Sequence, residues 1–260
     1  MELLIDDARI SEIKRLIEEY PIDGVTTNPS ILAKADQDPV QTLRQIREVI
    51  GEEALLFVQA VPSDTQGMVR DARAIVNAFG KNTVVKIPSV PAGFKAIRKL
   101  KEEGIHTCGT VVYTPMQAYL AAKAGAEYVA PYVNRIDNMG YDGVSIVKAI
   151  QDILTKNHMD TEVLAASFKN SQQVLALCEY GVGVPDRAAD PQLFHCPRTV
   201  LCAFKRCRRI LDRRPDGRRG RPHPSQRRYL QCADQRRKRD NTKSGPSDRP
   251  GNHGEGGMKR

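Results

Sequence analysis

The sequence predicts an α/β fold, a (β/α)8 TIM-type barrel whose eighth β/α unit is missing or replaced. Three observations point there. Short apolar runs alternate with amphipathic helical stretches along residues 1–183, the pattern of βαβ units on a parallel sheet. Seven such runs can be counted, each about one crossover from the next. No glycine-rich phosphate fingerprint follows the first run. A doubly wound sheet, the competing architecture, would normally carry one.

The strand-like runs are LLI (3–5), GVTTN (24–28), ALLFVQA (54–60), TVVKIP (83–88), TCGTVVY (107–113), YVAPYV (128–133) and EVLAASF (162–168). Between them, helical faces are legible. Ile10, Ile13, Leu16 and Ile17 share one side of a helix, as do Ile146, Val147, Ile150, Ile153 and Leu154. An eighth strand is expected just after the helix near Ser171–Glu179. The pattern stops there, one unit before closure.

Charge divides the chain at the same place. Residues 184–260 hold 21 Lys and Arg against 8 Asp and Glu, which leaves 19 against 23 for residues 1–183. The whole-chain net charge of +9 therefore comes from the tail, and the body is mildly acidic. The opening MELLIDDARI carries acids where a secretory leader carries bases. No apolar run approaches bilayer length, and the six cysteines lack the spacing of a disulfide framework. A soluble cytoplasmic protein is expected, with no membrane partner.

Lys86 is the most informative residue. It lies in VVKIP, between branched apolar side chains. Such a setting limits access to water, and desolvation disfavours an ammonium. A neutral amine attacks carbonyls and forms a Schiff base. In a barrel, reactive groups stand at the C-terminal ends of strands. Those ends carry Asp6, then Thr26, Thr27 and Asn28, then Gln59, Lys86, Thr110, Tyr132 with Arg135, and Ser167. Together they supply a carboxylate, an amine, a phenol, an amide and a guanidinium at one mouth.

These residues carry a resemblance. GVTTNPSIL (24–32) resembles the first signature of the transaldolase family, and VVKIP its Schiff-base strand. APYVNRID (130–137) and LAASFK (164–169) resemble motifs of its short subfamily, the fructose-6-phosphate aldolases and close relatives. The resemblance covers about residues 1–183. It implies a class I aldolase barrel, no metal, no cofactor, and sugar phosphates as small-molecule partners. By motif position, Lys86 corresponds to the Schiff-base lysine. Asp6, Gln59, Thr110 and Tyr132 fall at acid–base and water-positioning positions. Arg135 and Ser167 fall where the family binds phosphate, and Thr26 and Asn28 where it holds donor hydroxyls.

One residue bears on reaction type. The resemblance implies glutamate at the third-strand position in transaldolases proper and glutamine in the short aldolases; this chain has Gln59. A carboxylate there can shuttle protons, whereas an amide only orients a water. Gln59 thus favours reversible cleavage of fructose 6-phosphate over the alternative, transfer of a dihydroxyacetone unit between sugar phosphates of the pentose phosphate pathway.

Residues 184–260 depart from the family. Eight prolines occur in these 77 residues, and arginine dominates the basic residues. The family's eighth strand and final helix are not recognisable. That helix packs against a neighbouring subunit, so the family's homo-oligomer is in doubt here. Three readings compete: a basic nucleic-acid-binding arm on an inactive barrel remnant, a metal knuckle built on His195, Cys196, Cys202 and Cys207, and out-of-frame translation beyond Gly183. The knuckle spacing matches no recognised zinc pattern. The arm lacks aromatic interleaving, so nucleic acid is not expected as a partner. The abrupt loss of pattern favours the frame shift.

Overall fold

The computed structural model describes residues 2–35 and 37–182, together with the backbone of 200–202. Eight parallel strands are β1 Glu2–Asp6, β2 Gly24–Thr26, β3 Leu55–Gln59, β4 Thr83–Pro88, β5 Thr107–Val112, β6 Tyr128–Pro131, β7 Glu162–Val163 and β8 Val200–Cys202. The helices are α1 Ile10–Glu19, α2 Pro29–Leu32, α3 Pro39–Ile50, α4 Thr65–Phe79, α5 Pro91–Glu102, α6 Pro115–Lys123, α7 Val133–Asp137, α8 Gly143–Lys156 and α9 Ser171–Tyr180. The hydrogen-bonded order runs β7-β6-β5-β4-β3-β2-β1-β8.

Local chemistry sets the helix starts. Asp38, Asp64, Asp142 and Asn170 each accept a backbone N–H of the first turn. Pro39, Pro91 and Pro115 occupy first-turn positions, where no intrahelical donor is lost. Gly93 lets α5 close onto the end of β4, because a Cβ there would lie 1.9 Å from the Pro88 carbonyl oxygen.

The sheet curls, and two contacts prove it. Phe57 of β3 meets Tyr128 of β6 edge to face at 5.2 Å between ring centroids. Three strand spacings of about 4.8 Å would keep them well apart in a flat sheet. Lys86 of β4 likewise reaches Thr26 of β2, across β3, at 3.1 Å. Curling gives each strand an inner and an outer face. Ile5, Val25, Leu56, Val58, Val85, Ile87, Val129 and Val163 pack outward against the helices. Leu4, Phe57, Val84, Cys108, Tyr128, Ala130 and Leu164 fill the interior. Fully burying a side chain such as Phe57 is worth roughly 1.5–3 kcal/mol.

The base of the sheet is tied down by polar groups. The Arg47 guanidinium donates to the carbonyls of Gly51 and Ala54 at 2.8 Å and of Asn82 at 3.2 Å. This clamps α3 to the start of β3 and β4. Leading into β5, His106 pairs with Glu127, which precedes β6.

Two departures from the sequence reading stand out. The run EVLAASF does not form one continuous ladder: after Glu162–Val163 the pairing resumes at a bridge between Ala166 and Tyr132. The Leu164 and Ala166 N–H groups still donate to the Val129 and Pro131 carbonyls at 2.8 and 2.9 Å, and the Ala166 carbonyl accepts the Val133 N–H at 2.8 Å, but Pro131 has no N–H to return to Leu164, which breaks the ladder there. The second departure is β8: Glu2, Leu3 and Leu4 pair in parallel with residues 200–202. Its apolar run is short and was not legible as a strand. Among the described residues no ladder joins β7 to β8. The rest of the 184–260 tail, with the proposed knuckle, arm or frame shift and the division at 183, lies outside the described residues. Among those described, no helix is long and apolar enough to cross a membrane.

The His106–Glu127 pair predicts a pH dependence. The Glu127 hydrogen bond raises His106 above its ordinary value, against burial, which acts to lower it. A raised folded value means the pair's stabilisation is fully present below about pH 6.5 and lost as pH rises through the raised value. Both side chains are substantially exposed, so the effect stays under about 1 kcal/mol. His106→Gln should therefore lower stability in urea melts at pH 6 and match the parent at pH 9; equal losses at both would contradict this.

Candidate active site

The interior alternation builds the site. Lys86 lies two residues beyond Val84, Gln59 beyond Phe57, Thr110 beyond Cys108, Tyr132 beyond Ala130 and Asp6 beyond Leu4, each of those predecessors being an interior residue. Side chains two apart on a strand share a face. A polar layer therefore caps the apolar interior at the C-terminal ends of the strands. Register sets Asp6 beside Thr26 and Gln59 beside Lys86, while Thr110 pairs with Pro88, two residues beyond Lys86.

Lys86 is 7% exposed. Its Nζ donates to Thr26 Oγ1 at 3.1 Å and to the Thr27 carbonyl at 3.0 Å. Two acceptors thus hold the amine inside the curl of the sheet. Thr27 is fixed in turn, its N–H and hydroxyl both donating to the Phe57 carbonyl at 3.0 Å. Cys108, the register partner of Lys86, is not a competing nucleophile. Burial pushes its thiol up to about 12, only partly opposed by the Lys86 charge, so it stays protonated.

Tyr132 stands at the exit of β6, half-buried. The Arg135 guanidinium lies over its ring, 4.2 Å from the centroid. Arg135 is exposed and sits on α7 rather than at a strand end. Among the described residues no ion pair engages it. Ser167 follows the Ala166 bridge with φ +64°, and its carbonyl accepts the Asn134 N–H, one residue before Arg135. The backbone thus joins the Ser167 loop to the turn that carries Arg135. Asn28 is partly committed: its Oδ1 accepts the Ile31 N–H at 3.0 Å and caps α2, leaving the amide NH2 as its donor.

Sequence reasoning missed two residues here. Asp7, buried, accepts the Ala8 and Arg9 N–H groups at 2.8 and 3.0 Å and pairs with the Arg9 side chain. Burial acts to raise its carboxyl, but the Arg9 hydrogen bonds prevail and hold it below the usual range. This fixes the chain immediately after Asp6. The adjacent acid was the only signal. The second is Tyr113, whose ring meets Tyr132 edge to face with centroids 5.2 Å apart; an aromatic closing the fifth apolar run was its signal.

Comparisons with known proteins agree with this architecture. The solved structure described as "Native KDPGal structure" superposes with a TM-score of 0.52 at 16% identity, over 70% of this chain and 80% of that one. A racemase from Streptomyces coelicolor A3(2), with bound magnesium, gives 0.50 at 17% identity, over 78% of this chain and 52% of that one. At such identities the likeness is one of fold. The sequence model of the transaldolase/fructose-6-phosphate aldolase family matches residues 3–183. The chain belongs to that family, and with membership comes an aldolase- or transaldolase-type function.

The Lys86 cradle can be tested without any substrate. Thr26→Val keeps the shape but leaves a buried donor short of an acceptor, and should cost about 1–3 kcal/mol in denaturant melts. Thr26→Ser should stay near the parent. Adding Lys86→Met to Thr26→Val should cost less than the sum of the single changes. Additive losses would mean the two groups do not depend on each other.

Proposed function

We propose that this chain is a metal-independent class I aldolase that reversibly cleaves fructose 6-phosphate to dihydroxyacetone and glyceraldehyde 3-phosphate. The observation that carries the proposal is a buried lysine amine, Lys86, held by Thr26 and Thr27 within a polar layer that caps an apolar interior. Lys86 Nζ adds to the substrate carbonyl, and loss of water gives an iminium. A base takes the proton from the hydroxyl at the breaking bond. The carbon–carbon bond then opens, and its electron pair moves into the iminium to give an enamine. The aldehyde leaves. Protonation of the enamine carbon and hydrolysis release the ketone and restore the amine.

Roles follow from chemistry and family position. Tyr132 is the acid–base group, directly or through a water that Gln59 and Thr110 orient. Asp6 assists carbinolamine formation, and Thr26 and Asn28 hold donor hydroxyls. Arg135, with a planar fork suited to phosphate, and Ser167 hold the phosphate. The exposed position of Arg135 beside the Ser167 loop supports this reading. Gln59 supports cleavage over transfer, because an amide does not shuttle protons.

Fructose 6-phosphate alone should yield free dihydroxyacetone, with no acceptor sugar added, and a chelator should not stop it. Turnover only with an aldose phosphate acceptor would identify a transaldolase instead. Arg135→Ala should weaken phosphorylated substrates about ten- to a hundredfold more than unphosphorylated analogues; an equal loss for both would make Arg135 structural.

A further inference from the structure

We propose that Tyr113 is a positioning residue that holds the Tyr132 ring in its reactive orientation, and that a β-bulge in β5 exists to place it there. The inference rests on the Schiff-base aldolase reading and adds to it a residue outside the family motifs quoted above.

Register carries the argument. Gly109 pairs with Val129, so uninterrupted pairing would set Val111 opposite Pro131 and Val112 opposite Tyr132. The observed partner of Pro131 is Val112. One extra residue has entered β5 between Gly109 and Val112. Val111 takes up the irregularity with φ +61°, a conformation that is an outlier for a β-branched side chain. The slip has two consequences. It moves Tyr113 beside Tyr132, and the Tyr132 N–H donates to the Val112 carbonyl at 3.1 Å. It also exchanges faces, as any one-residue slip does. Cys108 points inward, yet Val112, four residues on, packs outward with the helix-facing core. Tyr113 thereby gains the inner side, where its ring meets that of Tyr132 at 63° and 5.2 Å.

Strain of this kind persists only where surroundings impose it, and Gln117 imposes it. Its Oε1 accepts the Tyr113 N–H at 3.0 Å, while its Nε2 donates to the carbonyls of Val111 at 3.4 Å and Ser89 at 3.3 Å. One amide from α6 thus pins the bulge, the residue after it and the exit of β4. The result is a phenol with the Tyr113 ring against it and the Arg135 guanidinium over its face. A proton-transfer group depends on orientation, so loosening one support lowers the rate of bond cleavage without touching the amine.

Kinetics of full-length variants test this. Tyr113→Leu should lower kcat for fructose 6-phosphate cleavage about three- to tenfold, the scale of one aromatic edge contact, with KM unchanged. Borohydride trapping of dihydroxyacetone on Lys86 should proceed as in the parent. Tyr113→Phe, which keeps the ring, should restore kcat and also controls for folding. In a Tyr132→Phe background, adding Tyr113→Leu should cost nothing further. Unchanged kcat in Tyr113→Leu, a Phe variant as slow as Leu, or additive losses would each overturn the positioning role while leaving the aldolase reading intact. A parent protein that neither traps nor cleaves would overturn that reading, and this inference with it.

Discussion

An amine that faces the inside of a curled sheet has to find polar partners there, and that constraint organises the molecule. Lys86 Nζ spans β3 to reach Thr26 and Thr27, so it depends on a sheet curved enough to bring β2 and β4 together. Below it the interior is apolar, with Phe57 against Tyr128 closing the space. The polar layer sits one side-chain step above. Unfilled or flat, the interior would leave Lys86 either hydrated or without acceptors. Packing, curvature and the chemistry of the amine are therefore one requirement met on successive rows of side chains.

Much of this was legible in the chain. Period-two apolar runs alternating with helical faces give seven strands in order, and strand ends give Asp6, Thr26, Gln59, Lys86, Thr110 and Tyr132 on a shared face. The hidden parts have physical reasons. TVVY in residues 110–113 reads as continued alternation, and nothing in a β-branched valine announces φ +61°. The bulge, and with it the inward turn of Tyr113, belongs to register between strands. EVLAASF reads as one long strand, and its pairing with β6 does reach Ala166, but Pro131 opposite it offers no N–H, so the ladder is interrupted after Val163. α7 itself was masked by the apolar run before it, so Arg135 looked like a strand-end residue. Asn28 reads equally well as a ligand group and as a helix cap, and its oxygen serves as the cap.

The loops at the mouth are held by the same kind of device. Asp7 fastens the chain after Asp6 by accepting two backbone N–H groups and the Arg9 side chain. Gln117 fastens the exit of β5, and the Ala166 and Ser167 carbonyls fasten the entry to α7. Lys86, Asp6, Thr26, Gln59 and Thr110 are set by strands, whereas Tyr132, Arg135 and Ser167 are set just beyond strand ends.

The central claim is that the interior amine of Lys86 forms the covalent bond to substrate. Borohydride reduction in the presence of dihydroxyacetone, followed by proteolysis and mass mapping, tests it most directly. One three-carbon unit should be added to the peptide containing Lys86. The same addition on Lys95, Lys99 or Lys169 instead, or no addition in a folded protein that still cleaves its substrate, would contradict it.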